Sequence, residues 1–414
     1  MTAIPSGYSH LLVFEPEVKG HQPLFISLLH AYSLARPEVG RVTFVVGRDL
    51  EKRLVAEEGR SLGSSPDGRV NVRFFSEEEV RFCRHAQIWR RSIYQWRCAA
   101  SHLSAVGATR VSFLFLDHLQ IPLALRFPFP GGAKVSGVLF RPSVHPLYFR
   151  EKSSFREKFR RLIKCASYRL LGSNPRILSV MTLDPLFPES VIGKRFFGNL
   201  LAHLPDPSVY DLYEPCEVLA EGMDISESIA GRRVFLLFGA LGRRKGILTV
   251  LDALAQVPAP IGRKICVILA GKVSPEIEDR IGKFFQGKKK TTCNGIDVLL
   301  LDRYLSNEEL RWLVDASDIL LAPYIDFVGS SGVLLWAAGA EKPVIAPNYG
   351  LLGALVNRYA LGEALDTTDS GALAEAMERF VSLETSSAAQ KTGMQRFAAA
   401  STPEAFCRTF FEFA

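Results

Sequence analysis

Residues 317–350, SDILLAPYIDFVGSSGVLLWAAGAEKPVIAPNYG, constrain what this chain can fold into more than any other stretch. An apolar run over Ile319–Ala322 closes at Pro323, the pattern of a parallel strand buried on both faces. A small-residue loop, Gly329-Ser330-Ser331-Gly332, leads into an apolar helix over Val333–Ala340, and a second buried strand follows over Pro343–Ala346. Strand, glycine loop and helix in that order aim backbone amides and the positive end of a helix dipole at the carboxyl edge of a sheet, a setting suited to phosphate. An ordinary βαβ unit with a tight turn has the same order, so the remaining sequence has to discriminate.

Apolar strands alternate with helical patterns along the rest of the chain. Strands are expected over His10–Glu15, Arg41–Gly47, Val70–Phe75, Arg110–Asp117, Lys134–Arg141 and Ile177–Leu183, with helices over Leu24–Leu34, Asp49–Glu58 and Glu77–Leu103 among them. The pattern restarts with a strand over Arg233–Phe238, a glycine and arginine loop over 239–246, and a helix over Ile247–Ala255. Strands over Ile265–Ala270 and Val298–Leu301 follow, then a helix over Asn307–Ala316 with Ser306 and Glu309 placed as a capping box. This alternation predicts an α/β protein with two Rossmann-like, doubly wound domains facing across a cleft. The expected boundaries are 1–205 for the first domain and 232–400 for the second. Between them, 206–231 reads as an exposed linker opened by Leu204-Pro205-Asp206-Pro207. The last segment, 401–414, reads as a helix returning to the first domain on Phe406, Phe410 and Phe413.

With 414 residues, 48% hydrophobic and 22% charged, the chain is long and apolar enough for two such domains. A net charge of +7 favours acidic ligands or an anionic surface and is too mild to argue for a nucleic-acid polymer. The seven cysteines form no C-x-x-C pair, which counts against zinc and suits reduced thiols in the cytoplasm. The amino terminus lacks a basic segment followed by a long apolar core, and no apolar run spans a bilayer. Peripheral contact with the inner face of a membrane has one candidate, the stretch 151–171. There Phe155, Phe159, Leu162, Ala166 and Leu170 share a helical face, and Lys152, Arg156, Lys158, Arg160, Arg161, Lys164 and Arg169 surround it. The bland alternative is that this face packs on its own domain.

In doubly wound sheets ligands sit beyond the carboxyl ends of the strands. The polar residues predicted there in the first half are His21 after Gly20, then Asp117, His118, Arg141 and His145. Each has a structural alternative: a helix-capping or exposed histidine for His21, a capping acid for Asp117, solvated side chains for Arg141 and His145. In the second half, Arg243, Arg244 and Lys245 stand beside a helix start, but the lysine is not followed by Ser or Thr, so this is not a nucleoside-triphosphate loop.

The words FGALGRRKGI, YLSNEELRWLVDASDILLAPY, GSSGVLLWAAGAEKPVIA and GLLGALVNRYALG follow one another across 232–362. In that order they resemble the family 4 glycosyltransferases, which have the two-domain GT-B fold. The first half is similar more loosely, through the Gly20-His21 pair, RPSVH and LPDP. The resemblance implies transfer of a sugar, of the hexosyl type, from a nucleotide-diphosphate donor to a carbohydrate or lipid-linked acceptor. It implies retention at the anomeric carbon and no cofactor or metal, in keeping with the lack of an Asp-x-Asp motif. It assigns the donor diphosphate to Lys245 with Arg243 or Arg244 and to the backbone of Ser330, Ser331, Gly332 and Val333. Residues around Tyr304 would meet the base, and His21 the phosphates. Asp117, His118, Arg141 and His145 would lie on the acceptor side. One departure stands out. Two glutamates eight positions apart contact donor sugar and ribose in the family, and their places here are Val328 and Trp336. Asp326 is the nearby substitute, and Glu341 points away. The alternatives are therefore a weak or inactive paralogue that binds nucleotide sugars or acts as a scaffold, and a sugar-nucleotide epimerase on the same fold.

Overall fold

The computed structural model describes residues 10–18, 20–59, 61–148, 155–218, 225–382 and 387–414. The amino terminus, the start of the basic stretch at 151–154 with the side chains of 155–158 and 160, and residues 219–224 of the expected linker lie outside the described residues. The chain divides into two compact units, Met1–Asp206 with Pro403–Ala414, and Pro207–Thr402.

The first unit is built on seven strands: β1 (Leu11–Glu15), β2 (Val42–Val46), β3 (Val70–Phe74), β4 (Arg110–Phe113), β5 (Lys134–Leu139), β6 (Ile177–Thr182) and β7 (Leu201–His203). Their order is β3-β2-β1-β4-β5-β6-β7 and every pairing is parallel. Leu11 lies opposite both Val42 and Arg110, which puts β1 at the centre. Both faces are covered, one by Phe14, Trp96, Phe113 and Tyr168, the other by Phe25, Phe44, Met181 and Phe406. Burial on two sides is why the central strands read as unbroken apolar runs.

The single helix expected over Glu77–Leu103 is two. Glu77–Cys83 carries a complete capping box from Ser76 and Glu79, and Ile88–Val106 follows after Gln87 turns extended. Arg84 holds the break: its guanidinium donates to the Pro16 carbonyl and pairs with Asp49. The closing helix, Pro403–Phe413, belongs to this unit. Phe406 sits 4.5 Å from the ring of Phe25, Arg36 pairs with Glu404 at 2.9 Å, and Ser179 donates to the Phe413 carbonyl.

The helix Phe155–Gly172 departs from the bland expectation. Tyr168 and Leu171 are its buried contacts, whereas Phe159 and Leu162, on the predicted apolar face, are 57% and 66% exposed, and Leu170 is exposed beside them.

The second unit repeats the plan with β8 (Arg233–Phe238), β9 (Ile265–Ala270), β10 (Lys290–Cys293), β11 (Ile296–Leu301), β12 (Ile319–Leu321), β13 (Val344–Pro347) and β14 (Gly362–Leu365). The order is β10-β11-β9-β8-β12-β13-β14, parallel except for the edge hairpin β10–β11. Asn294 and Gly295 turn that hairpin with φ of 48° and 84°, the left-handed pair such tight connections need. Residues 207–231, expected as a linker, are assigned to this unit. Tyr210 is the anchor. Its ring packs so closely on Gly339 that a Cβ there would come 2.7 Å from it, and Arg311 stacks over the ring at 3.6 Å.

Candidate functional site

Each sheet reverses its strand order once, between β1 and β4 and between β8 and β12. The crevice beyond the carboxyl ends at such a reversal is where this architecture receives ligands. In the second unit the loops leaving β8 and β12 meet there. Gly246 has φ of 72°, and a Cβ on it would lie 1.9 Å from the Pro323 carbonyl oxygen. Glycine therefore lets the β8 loop close on the β12 loop, and Ile325 N–H donates across to the Arg244 carbonyl at 2.9 Å.

That closure buries Lys245. Its ammonium donates to the Phe238 carbonyl at 2.7 Å and lies 4.8 Å from the Tyr324 ring centroid. One acceptor occupies one of its three hydrogens, and the charge faces an aromatic ring rather than a carboxylate. Arg244 stacks over Phe327 at 4.8 Å and Tyr324 at 5.6 Å. Arg243 is held by its backbone, whose amide donates to Glu276. Across from these cations the helix Gly332–Gly339 begins, with Ser331 as its cap. The Ser331 hydroxyl exchanges a 2.8 Å hydrogen bond with Tyr324 and accepts from the Val333 amide. The amide expected to serve an anion at Val333 is thus partly satisfied from within, and the start of the helix presents the backbone of Ser330, Ser331 and Gly332. Lys245, Arg244 and the cap of the Gly332–Gly339 helix thus gather around Tyr324.

Tyr304 is 84% exposed, while its neighbour Arg303 is fixed in a two-bonded pair with Glu309. The two positions without carboxylates differ in setting. Trp336 is 7% exposed and packs edge-on against Tyr210 and Phe238, because the Gly332–Gly339 helix is buried all round. Val328 has its carbonyl bonded by the Leu351 amide. Asp326 is exposed on a left-handed backbone with φ of 55°. Glu341 accepts from Gln395 and is turned toward the Ala388–Ala400 helix.

In the first unit the predicted residues separate into two groups. His21 caps the Gln22–Ala35 helix without a side-chain bond to it, half-exposed, with its Nδ1 3.8 Å from a carboxylate oxygen of Asp206. Burial raises the Asp206 carboxyl, and the neighbouring imidazole works against that rise. Aromatic contacts run from His21 to Phe140 (6.1 Å), Phe140 to Phe115 (5.1 Å) and Phe115 to His118 (4.4 Å), so His21 and His118 end one strip of rings. Burial, with Arg91 beside it, pushes His118 down to about 4, so it is a neutral imidazole near neutral pH.

The other predicted residues serve the backbone. Asp117 accepts from the Phe140 and Arg141 amides, at 2.8 and 3.3 Å, and burial raises its carboxyl to about 6. His145 is buried and donates from Nδ1 to Asp184 at 2.8 Å; the Tyr148 hydroxyl donates to the same oxygen. The carbonyl of Arg141 accepts from Tyr168. Sequence reasoning missed Asp206 and Glu15. Asp206 was legible only as part of a proline-flanked connection. Glu15 ends β1 fully buried, accepts from the Glu17 amide at 2.7 Å, and burial raises its carboxyl to about 8.

No curated protein matches this sequence. Residues 232–382 match the family Glycosyl transferases group 1. Among solved structures, Anabaena HepE in complex with UDP and glucose is similar with a TM-score of 0.60 at 15% identity, covering 98% of this chain and 99% of that one. Sucrose-phosphate synthase from Thermosynechococcus elongatus gives 0.63 at 17% identity, covering 97% of both chains. The α,α-trehalose 6-phosphate synthase from Burkholderia multivorans gives 0.62 at 12%, again covering 97% of both. The two seven-stranded α/β units have the GT-B fold of these neighbours.

Proposed function

We propose that this chain moves a sugar, of the hexosyl type, from a nucleotide-diphosphate donor to a carbohydrate or lipid-linked acceptor, as in polysaccharide or glycolipid synthesis. The observation that carries the reading is Lys245, buried at the strand reversal with its ammonium over Tyr324 and no carboxylate paired with it among the described residues. A departing nucleoside diphosphate gathers negative charge, and a pre-placed cation in a site of low polarity stabilises that charge without reorganising. Arg244 and the first amides of the Gly332–Gly339 helix are proposed to share it; Arg243 lies at the rim and Tyr304 at the base of the nucleotide. With this charge met by the protein, transfer runs without a metal. The HepE structure, which holds UDP and glucose, supports a nucleotide-sugar donor.

His21, backed by Asp206, is assigned the proton and phosphate contacts of the first unit, with His118, Arg141, Asp117 and His145 framing the acceptor side. Asp326 is the carboxylate assigned to the donor sugar. We assign retention of anomeric configuration on the family likeness of residues 232–382. Incubation with UDP- and GDP-hexoses and a glycan or polyprenyl-phosphate acceptor panel tests this reading. Formation of product with retained configuration supports it; tight donor binding with no transfer or hydrolysis over long incubation favours the second reading.

That second reading, a GT-B protein that binds nucleotide sugars without turnover, rests on Trp336 and Val328. Apolar side chains there, Trp336 buried and Val328 half-buried, leave two sugar hydroxyls without acceptors. The exposed Phe159, Leu162 and Leu170, with Arg161, Lys164 and Arg169 beside them, suit the surface of an anionic bilayer on the cytoplasmic side. Flotation with phosphatidylglycerol liposomes at low salt is expected to carry the protein upward. Loss of flotation in Phe159→Glu/Leu162→Glu supports the assignment, and failure of the wild type to float removes it.

A further inference from the structure

We infer that the Glu77–Cys83 and Ile88–Val106 helices hold one zinc ion through Cys83, Cys98, His102 and Glu79. The spacing carries the idea. Glu79 and Cys83 are four residues apart on the first helix, and Cys98 and His102 are four apart on the second. Residues at that spacing share a helix face, so two packed helices bring two pairs of ligands to one point. The geometry there agrees. Glu79 Oε1 lies 3.0 Å from His102 Nε2 and 3.3 Å from Cys98 Sγ, and the three donor atoms fall within 4.8 Å of one another. Cys83 stands outside that group of three donors; fully buried next to Cys98, it is assigned as the fourth ligand, brought in by rotation of its side chain. In tetrahedral zinc with ordinary zinc–sulfur, zinc–nitrogen and zinc–oxygen bonds, ligand atoms stand about 3.3–3.8 Å apart, so small movements admit the ion.

The surroundings also fit. Two sulfurs, one imidazole nitrogen and one carboxylate oxygen form a complete set for a borderline-soft divalent ion, with no position left for substrate. The second oxygen of Glu79 accepts from the Ser76 amide at 2.8 Å, which fixes the carboxylate's direction. Gln95 ties the two helices together by donating to the Cys83 carbonyl at 2.9 Å, and Phe75 stands edge-on to the His102 ring. Glu79 is half-buried, giving an ion a path from solvent, while the other three are buried. The absence of C-x-x-C in the sequence does not count against this site, because i and i+4 positions on two helices replace the knuckle.

The test uses the whole chain, reduced and stripped of metal. Titration with Zn²⁺ against a chromophoric chelator is expected to show one tight equivalent. Co²⁺ in its place is expected to give a thiolate-to-cobalt charge-transfer band and the visible bands of tetrahedral coordination. Cys98→Ser and His102→Ala should each weaken the site by about 100-fold or more, while Cys216→Ser, at an exposed cysteine elsewhere, should leave it unchanged. Should the cluster variants fold poorly, alkylation of the wild type followed by mass mapping decides, with zinc protecting Cys83 and Cys98 alone. The proposal is overturned by less than stoichiometric metal, by a cobalt spectrum without the thiolate band, or by equal affinity in Cys98→Ser.

Discussion

The two strand reversals place polar groups at equivalent points of equivalent sheets, yet the groups are employed differently. Beyond β8 and β12, Lys245 has one carbonyl for a partner and an aromatic face for a neighbour, and Arg244 lies on two rings. Lys245 thus keeps hydrogen-bonding capacity beyond its one carbonyl partner. Beyond β4 and β5, Asp117 closes two backbone amides and His145 is locked to Asp184. Those groups hold the loops on which His118 and Arg141 lie. Residue type and position at a strand end do not separate the two uses; the partners do.

The contrast can be broken or sharpened by substitution, beginning with the largest effect. Glu15 binds its proton in the folded state up to about pH 8, whereas an unfolded glutamate releases it near 4.5. Between those values the folded state holds the extra proton, so stability falls as pH rises, by about 5 kcal/mol in all. Glu15→Gln should flatten that slope and be the more stable chain at pH 9; urea midpoints at pH 5 and pH 9 measure it, and parallel slopes would refute the buried neutral acid. Asp184→Ala leaves His145, Tyr148 and the Leu186 and Phe187 amides without their acceptor. It should cost about 3 kcal/mol of stability while donor affinity, measured on the folded fraction, stays unchanged. Lys245→Ala should show the reverse pattern, weakening nucleotide-sugar binding by about 1.5–3 kcal/mol with little shift of the urea midpoint. The smallest effect belongs to Ser331→Ala, which removes a helix cap and the Tyr324 partner. About 1 kcal/mol of stability and a donor-affinity loss smaller than that of Lys245→Ala are expected, by the same two measurements.

Much of the fold was legible because parallel strands buried on both faces leave unbroken apolar runs, as in Leu11–Glu15 and Ile265–Ala270. Edge elements were not. Lys290–Cys293 has charge and threonine instead of apolar residues, and only the Asn294-Gly295 turn marked its hairpin. Residues 207–231 read as a linker because Tyr210 packs on Gly339 and Arg311, neither of which is near it in sequence. The strand, glycine loop and helix were legible as a motif, while its internal satisfaction, Ser331 bonded to Tyr324 and Val333, was not. Asp206 beside His21 and the meeting of Glu79, Cys98 and His102 depend on packing between distant segments, which no local pattern encodes.

The central claim is that the second unit's strand reversal receives the diphosphate of a nucleotide sugar through Lys245. Isothermal titration of the wild type and Lys245→Ala with a panel of UDP- and GDP-hexoses tests it most directly. The account predicts one site in the wild type for at least one donor and an affinity about 10- to 150-fold weaker in the variant. Equal affinity in the two chains, or no binding of any donor by the wild type, would contradict it.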